Sequence, residues 1–199
     1  MLNRTSLQTP GVLLVFAGIV VLMGIVTGEF YFRGYSTRNN AISDLGQRTD
    51  PVNASLKSSL IFNSAMVIAG VAVILSAYLL HHAMHRNIVT IPLLIHGIAI
   101  VGVGLFNSNL STAHLIFAMA TFTSGEFVAI SSFSVADTPA KYIFATLGIT
   151  SFVFLLGNPL FVKMMGTGGA ERWIVYPTTI WLIVYGAYLL GVQATNNNL

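Results

Sequence analysis

Residues 11–28 read GVLLVFAGIVVLMGIVTG, an unbroken apolar run between Pro10 and Glu29. A helix rises ~1.5 Å per residue and the hydrocarbon layer of a bilayer is ~30 Å thick, so a run of this length suits a membrane crossing. Arg4 precedes it as in a secretory leader, but no small-residue cleavage pattern of the A-x-A kind follows. The reading is a retained span. Five further segments share its character, at 59–80, 88–106, 113–134, 141–163 and 173–193. Transmembrane strands would instead show alternating segments of about ten residues, and these runs are continuous. The expected fold is all-α: one polytopic domain over residues 1–199, a six-transmembrane-helix antiparallel bundle with a long loop between the first two helices.

Composition agrees with that reading. Of 199 residues, 55% are hydrophobic and 8% charged, against roughly 25% charged in a soluble domain. The net charge of +3 comes from nine basic and six acidic side chains, too few and too scattered for a nucleic-acid footprint. Cysteine is absent, which excludes disulfides, iron–sulfur clusters and thiolate zinc sites, and no cofactor is expected. Glycines such as Gly97, Gly102 and Gly104 in the third span suit close backbone approach in lipid.

The connections are unequal. Glu29 to Ser58 is the only stretch long enough to form a lid, and the others, Met164 to Arg172 among them, read as short turns between antiparallel neighbours. Within the long loop, GYSTRNNAISDLG (Gly34 to Gly46) concentrates polar side chains. Asn39, Asn40 and Gly46 favour turns, and Asp44 suits a backbone cap or a pair with Arg38 or Arg48. Ser43-Asp44 has no His beside it and no G-x-S-x-G elbow occurs, so scaffolding accounts for the segment better than catalysis does.

Polar residues inside spans cost several kcal/mol in lipid unless paired. His96 and Glu126 fall in the same third of the bilayer on antiparallel helices, and read as an interhelical clasp or, alternatively, a proton relay. Asn63, Asn107, His114 and Asn158 lie towards the long-loop face. With Ser43 and Asp44 above them they outline a pocket beneath ISDLG, unless they merely cap helix ends. Asp44 and His114 are its candidate acid–base pair. His81 and His85 in HHAMH have metal-ligand spacing, but no HExxH signature accompanies them. They fit a wet helix terminus as well, ~30 Å from Asp44.

YSTRNNAISDLG after span one, FNSAMVIAG (62–70) in span two and GLFNSNLSTAHLIFAMATFTSGEFVAI (104–130) resemble the prokaryotic, often archaeal, six-span family catalogued as domain of unknown function 998. The resemblance covers nearly the whole chain. More distantly, ISDLG followed by GLFNSN and a downstream His is similar to the damage-regulated autophagy modulator and Sfk-like membrane proteins, which are linked to lipid remodelling and asymmetry. The resemblance implies that Ser43, Asp44, Gly46, Asn63, Asn107, His114, Phe122 and Gly125 define the fold or a lipid-facing pocket. Asn107 departs from the family pattern, where Pro is common.

Counting basic residues by face gives Arg33, Arg38, Arg48, Lys57, Lys163 and Arg172 on the long-loop side against Arg4, Arg86 and Lys141, which favours a cytoplasmic loop. The resemblance implies the reverse, with cytoplasmic termini and the first loop outside, and we expect that orientation in the cell membrane. The leading functional expectation is a lipid-binding protein or an accessory subunit, with membrane lipids and other integral subunits as partners and no nucleic acid. An intramembrane lipid-modifying enzyme is the first alternative, a small-solute or proton transporter the second.

Overall fold

The computed structural model describes residues 7–47, 56–106 and 111–197. The described residues form helices α1 (Gln8–Tyr31), α2 (Leu56–Met84), α3 (Asn87–Leu105), α4 (Ser111–Ser131), α5 (Ala140–Leu156) and α6 (Asn158–Asn197), with no strand among them. Five of these, all except α5, are long and apolar enough to cross a membrane. Each helix packs on its neighbours in sequence, and α1 closes the circle against α6. The molecule is therefore an all-α bundle of membrane type, arranged as a ring.

Two faces of each rod are apolar for different reasons. On α1, Leu14, Ala17, Val21 and Ile25 are buried in the core, whereas Val12, Phe16, Ile19, Met23 and Val26 form an exposed stripe at helical spacing. A stripe of that size is stable only where lipid covers it. Lipid offers no hydrophobic drive between helices, so close packing must hold them. Gly70 of α2 and Gly97 of α3 meet backbone to backbone: a Cβ on Gly97 would stand 3.0 Å from the Gly70 carbonyl, and one on Gly70 2.7 Å from the Gly97 carbonyl. Gly11 and Gly186 join α1 to α6 in the same way.

The fifth and sixth spans differ from expectation. The apolar run over 141–163 does not form one rod: α5 ends at Leu156, and Asn158-Pro159 starts a new helix at once. Proline fits there because the first turn of a helix has no use for its missing N–H. The stretch from Met164 to Arg172, expected to be a loop, is helical apart from Gly166, whose backbone at φ 80° and ψ 168° breaks α6. That break carries the following turn up against the first loop.

Candidate functional site

ISDLG forms a single 3-10 turn (Ile42–Gly46) seated on the end of the ring. The first N–H groups of a helix have no partner within it. Here two carboxylates supply them. Asp44 Oδ2 accepts from the Ala41 N–H at 3.0 Å and from Asn40 Nδ2 at 3.3 Å, while its Oδ1 accepts from Gln47 Nε2 at 2.8 Å. Glu171 of α6 reaches across to accept from the Ile42 N–H at 2.6 Å. At the other end, Asn63 Nδ2 donates to the Gly46 carbonyl at 3.2 Å and Ser58 Oγ lies 3.3 Å from the Leu45 carbonyl. Gly46 has no room for a side chain, since a Cβ would stand 2.6 Å from Asn63 Oδ1.

The upstream half of the loop is clasped by Arg172. Its guanidinium pairs with Glu29 of α1 at 2.5 Å, donates to the Tyr35 hydroxyl at 2.9 Å and to the Thr37 carbonyl at 3.0 Å, and lies over the Tyr35 ring. Tyr35 in turn donates to the Ala41 carbonyl at 3.0 Å. Burial pushes its phenol above the ordinary tyrosine range, against the opposing pull of Arg172, so it stays protonated as this bond requires. The Gly168 N–H donates to the Arg38 carbonyl at 2.9 Å, an approach that only a bare backbone allows. Glu29, Glu171 and Arg172 carry this docking, and none of them stands out in the sequence as a site residue.

Beneath the docked turn lies a small central chamber of about 50 Å³, walled mainly by apolar side chains of α1 to α4 and α6. A space of that size holds a few waters rather than a substrate. It adjoins a laterally open groove of about 630 Å³ beside α4 and the start of α6. Chamber and groove share Ser43, His114, Ala118, Phe122 and Glu171 as lining. Asn158 and Thr167 add polarity to the groove, whereas Leu115, Met119 and Ile174 make the rest of it apolar. The groove therefore has both a polar and an apolar lining.

His114 is the group with chemistry to spare. Its Nδ1 lies 2.8 Å from the Phe106 carbonyl, which can only accept, so Nδ1 carries the hydrogen and Nε2 of the neutral ring is an acceptor. Ser43 and Asn158 line the same groove as His114. Asp44 does not: both of its oxygens are committed within the loop, and the expected Asp44–His114 acid–base pair is not formed. Asn63 holds the loop instead of lining the cavity, and Asn107 lies outside the described residues.

The other candidates are separate. His96 and Glu126 are both buried, but no hydrogen bond joins them. His96 Nδ1 pairs with the Thr121 carbonyl at 3.0 Å, and Glu126 Oε1 with Ser151 Oγ at 3.1 Å. Two separate interhelical contacts, α3 to α4 and α4 to α5, thus stand where the clasp was expected. Gly125 makes room for the imidazole, since a Cβ there would stand 2.8 Å from His96 Cε1. His81 Nδ1 lies 3.3 Å from Thr90 Oγ1, and no cluster of three or more metal-ligating side chains occurs among the described residues.

A family model described as "Protein of unknown function (DUF998)" matches residues 15–188. No curated protein and no solved structure matches the chain.

Proposed function

The chain belongs to the DUF998 family of proteins of unknown function, and from that premise we propose that it is a lipid-binding membrane protein whose site is the groove under the ISDLG turn. The observation that carries this reading is the groove's gradient, from Ser43, His114, Asn158 and Glu171 at the loop to Leu115 and Met119 towards the outer face of α4. Leu115 is 61% exposed, on a helix apolar enough to lie in a bilayer, so the groove opens where acyl chains are. A polar head with an apolar tail fits such a gradient better than the flank of a partner helix does, and binding rather than accessory assembly is the role we assign.

The test is lipid retention. The full chain is extracted from native membranes in mild detergent, and its retained lipid is compared with that of Ala118→Phe, which fills the space shared by chamber and groove. We expect a stoichiometric lipid in the parent and its loss in a variant that remains folded and monodisperse. A folded parent that retains none overturns the reading.

A second reading, an intramembrane enzyme acting on the bound lipid, rests on the acceptor Nε2 of His114 beside Ser43 and Glu171. Chemical change of the retained lipid during incubation, abolished by His114→Ala, separates it from binding alone. For orientation we place the protein in the cell membrane with its termini cytoplasmic, supported by the resemblance noted above. Because the native chain has no cysteine, a single Asn39→Cys labelled by impermeant maleimide in intact cells reports the side directly, and labelling only after lysis would reverse the placement.

A further inference from the structure

The first loop overhangs a second groove, of about 760 Å³, between α5 and the part of α6 that follows Gly166. Its walls include Leu147, Met165, Trp173, Pro177 and Ile180, and Arg38 stands at its loop end. From Gly169 to Ile180 is about eleven residues, ~16 Å of helix, or about half of the ~30 Å hydrocarbon thickness. The groove thus has the depth of one leaflet.

Its charge is uneven. Arg172 also lines it, but that guanidinium is neutralised by Glu29 and anchored on backbone carbonyls. Arg38 is exposed, and its side chain has only a long contact, 3.5 Å, to the Met164 carbonyl. No described carboxylate lies within ion-pair distance of it. A planar guanidinium above an apolar channel is the arrangement that binds a phosphate whose chains run down the channel. Trp173, half exposed and stacked on Phe154 with ring centroids 5.0 Å apart, stands in the groove below, where an interfacial indole belongs.

We infer that the α5–α6 groove is a site for an anionic phospholipid of the loop-side leaflet, its phosphate on Arg38 and one acyl chain along Trp173 and Ile180. This site shares no lining residue with the His114 groove. Its occupancy does not depend on the reading proposed above.

The sequence supplies a reporter. The chain has two tryptophans, of which Trp181 is fully buried and Trp173 lines this groove. The full chain is reconstituted in phosphatidylcholine bilayers, and brominated-chain phosphatidylglycerol or brominated-chain phosphatidylcholine is titrated in as a contact quencher. Subtracting the emission of Trp173→Phe isolates the Trp173 signal without disturbing Trp181.

A cationic side chain near the surface contributes ~1 kcal/mol to an anionic lipid, so the expected preference for phosphatidylglycerol is about fivefold. Arg38→Gln should bring the ratio to about one, while Arg33→Gln, at an exposed loop position that does not line the groove, leaves it at about five. Free inorganic phosphate should not relieve the quenching, and Ala118→Phe should not change it. A parent ratio near one, an equal fall in both arginine variants, or relief by free phosphate each overturns the inference.

Discussion

Replacing Arg172 by Gln tests whether the first loop is held as a fixed lid. The side chains of Arg172 and Glu29 are 11% and 21% exposed, so the pair is largely withdrawn from solvent. Removing one partner of a buried pair costs ~3–5 kcal/mol, because the other charge is left without compensation. Glu29 keeps some contact with water, which lowers the figure to ~2–3 kcal/mol for the docked state. Each ~1.4 kcal/mol is tenfold in population, so opening of the loop should rise by about thirtyfold to somewhat over a hundredfold.

The assay uses the absence of native cysteine. Leu45→Cys, in the turn and fully buried, should react with a soluble maleimide only when the loop lifts, and the rate should follow the open fraction. Adding Glu29→Gln to Arg172→Gln should recover part of the loss by removing the stranded acid. A labelling rate within twofold of the parent would show that this pair does not hold the loop, and so would a double variant no slower than the single.

Gly168→Ala should open the loop to a similar degree, since its Cβ would stand 2.6 Å from the Thr37 carbonyl and backbone cannot yield as a side chain does; the same maleimide rate checks it. Asn63→Ala leaves the Gly46 carbonyl without its side-chain donor, at ~1–3 kcal/mol, and should lower the melting temperature in detergent. Tyr35 has a folded-state pKa above its ordinary 10.0. Its contribution is therefore complete below about pH 10 and is lost as pH rises beyond that, so the melting temperature in detergent should fall as pH is raised above about 10. Tyr35→Phe should flatten that part of the profile.

The rods were legible in the sequence because lipid imposes long apolar runs, and α1 to α4 occupy them with ends shifted by a few residues. The region around Met164 to Arg172 misled because its glycines and charges have the composition of a loop. Those glycines instead admit the Arg38 and Asn40 carbonyls, a contact between residues some 130 positions apart. Nothing local signals such a pairing. The cap by Asp44 is legible because a short acid in a polar turn suits one, whereas nothing in the sequence around Glu171 marks it as a partner of the first loop. Its actual partner, the Ile42 amide, is set by the Gly166 break. His96 and Glu126 share a depth in the bilayer, but depth along a helix leaves direction around it open.

The proposed function requires a lipid in the space beneath the docked turn. The most direct measurement places a benzophenone side chain at Phe122, which lines both chamber and groove, and irradiates native membranes before mass analysis. We expect a lipid adduct at Phe122 well above that at Phe144, a fully buried α5 position that lines neither cavity, and its loss in Ala118→Phe. A Phe122 adduct no greater than the one at Phe144 would contradict the lipid-binding reading.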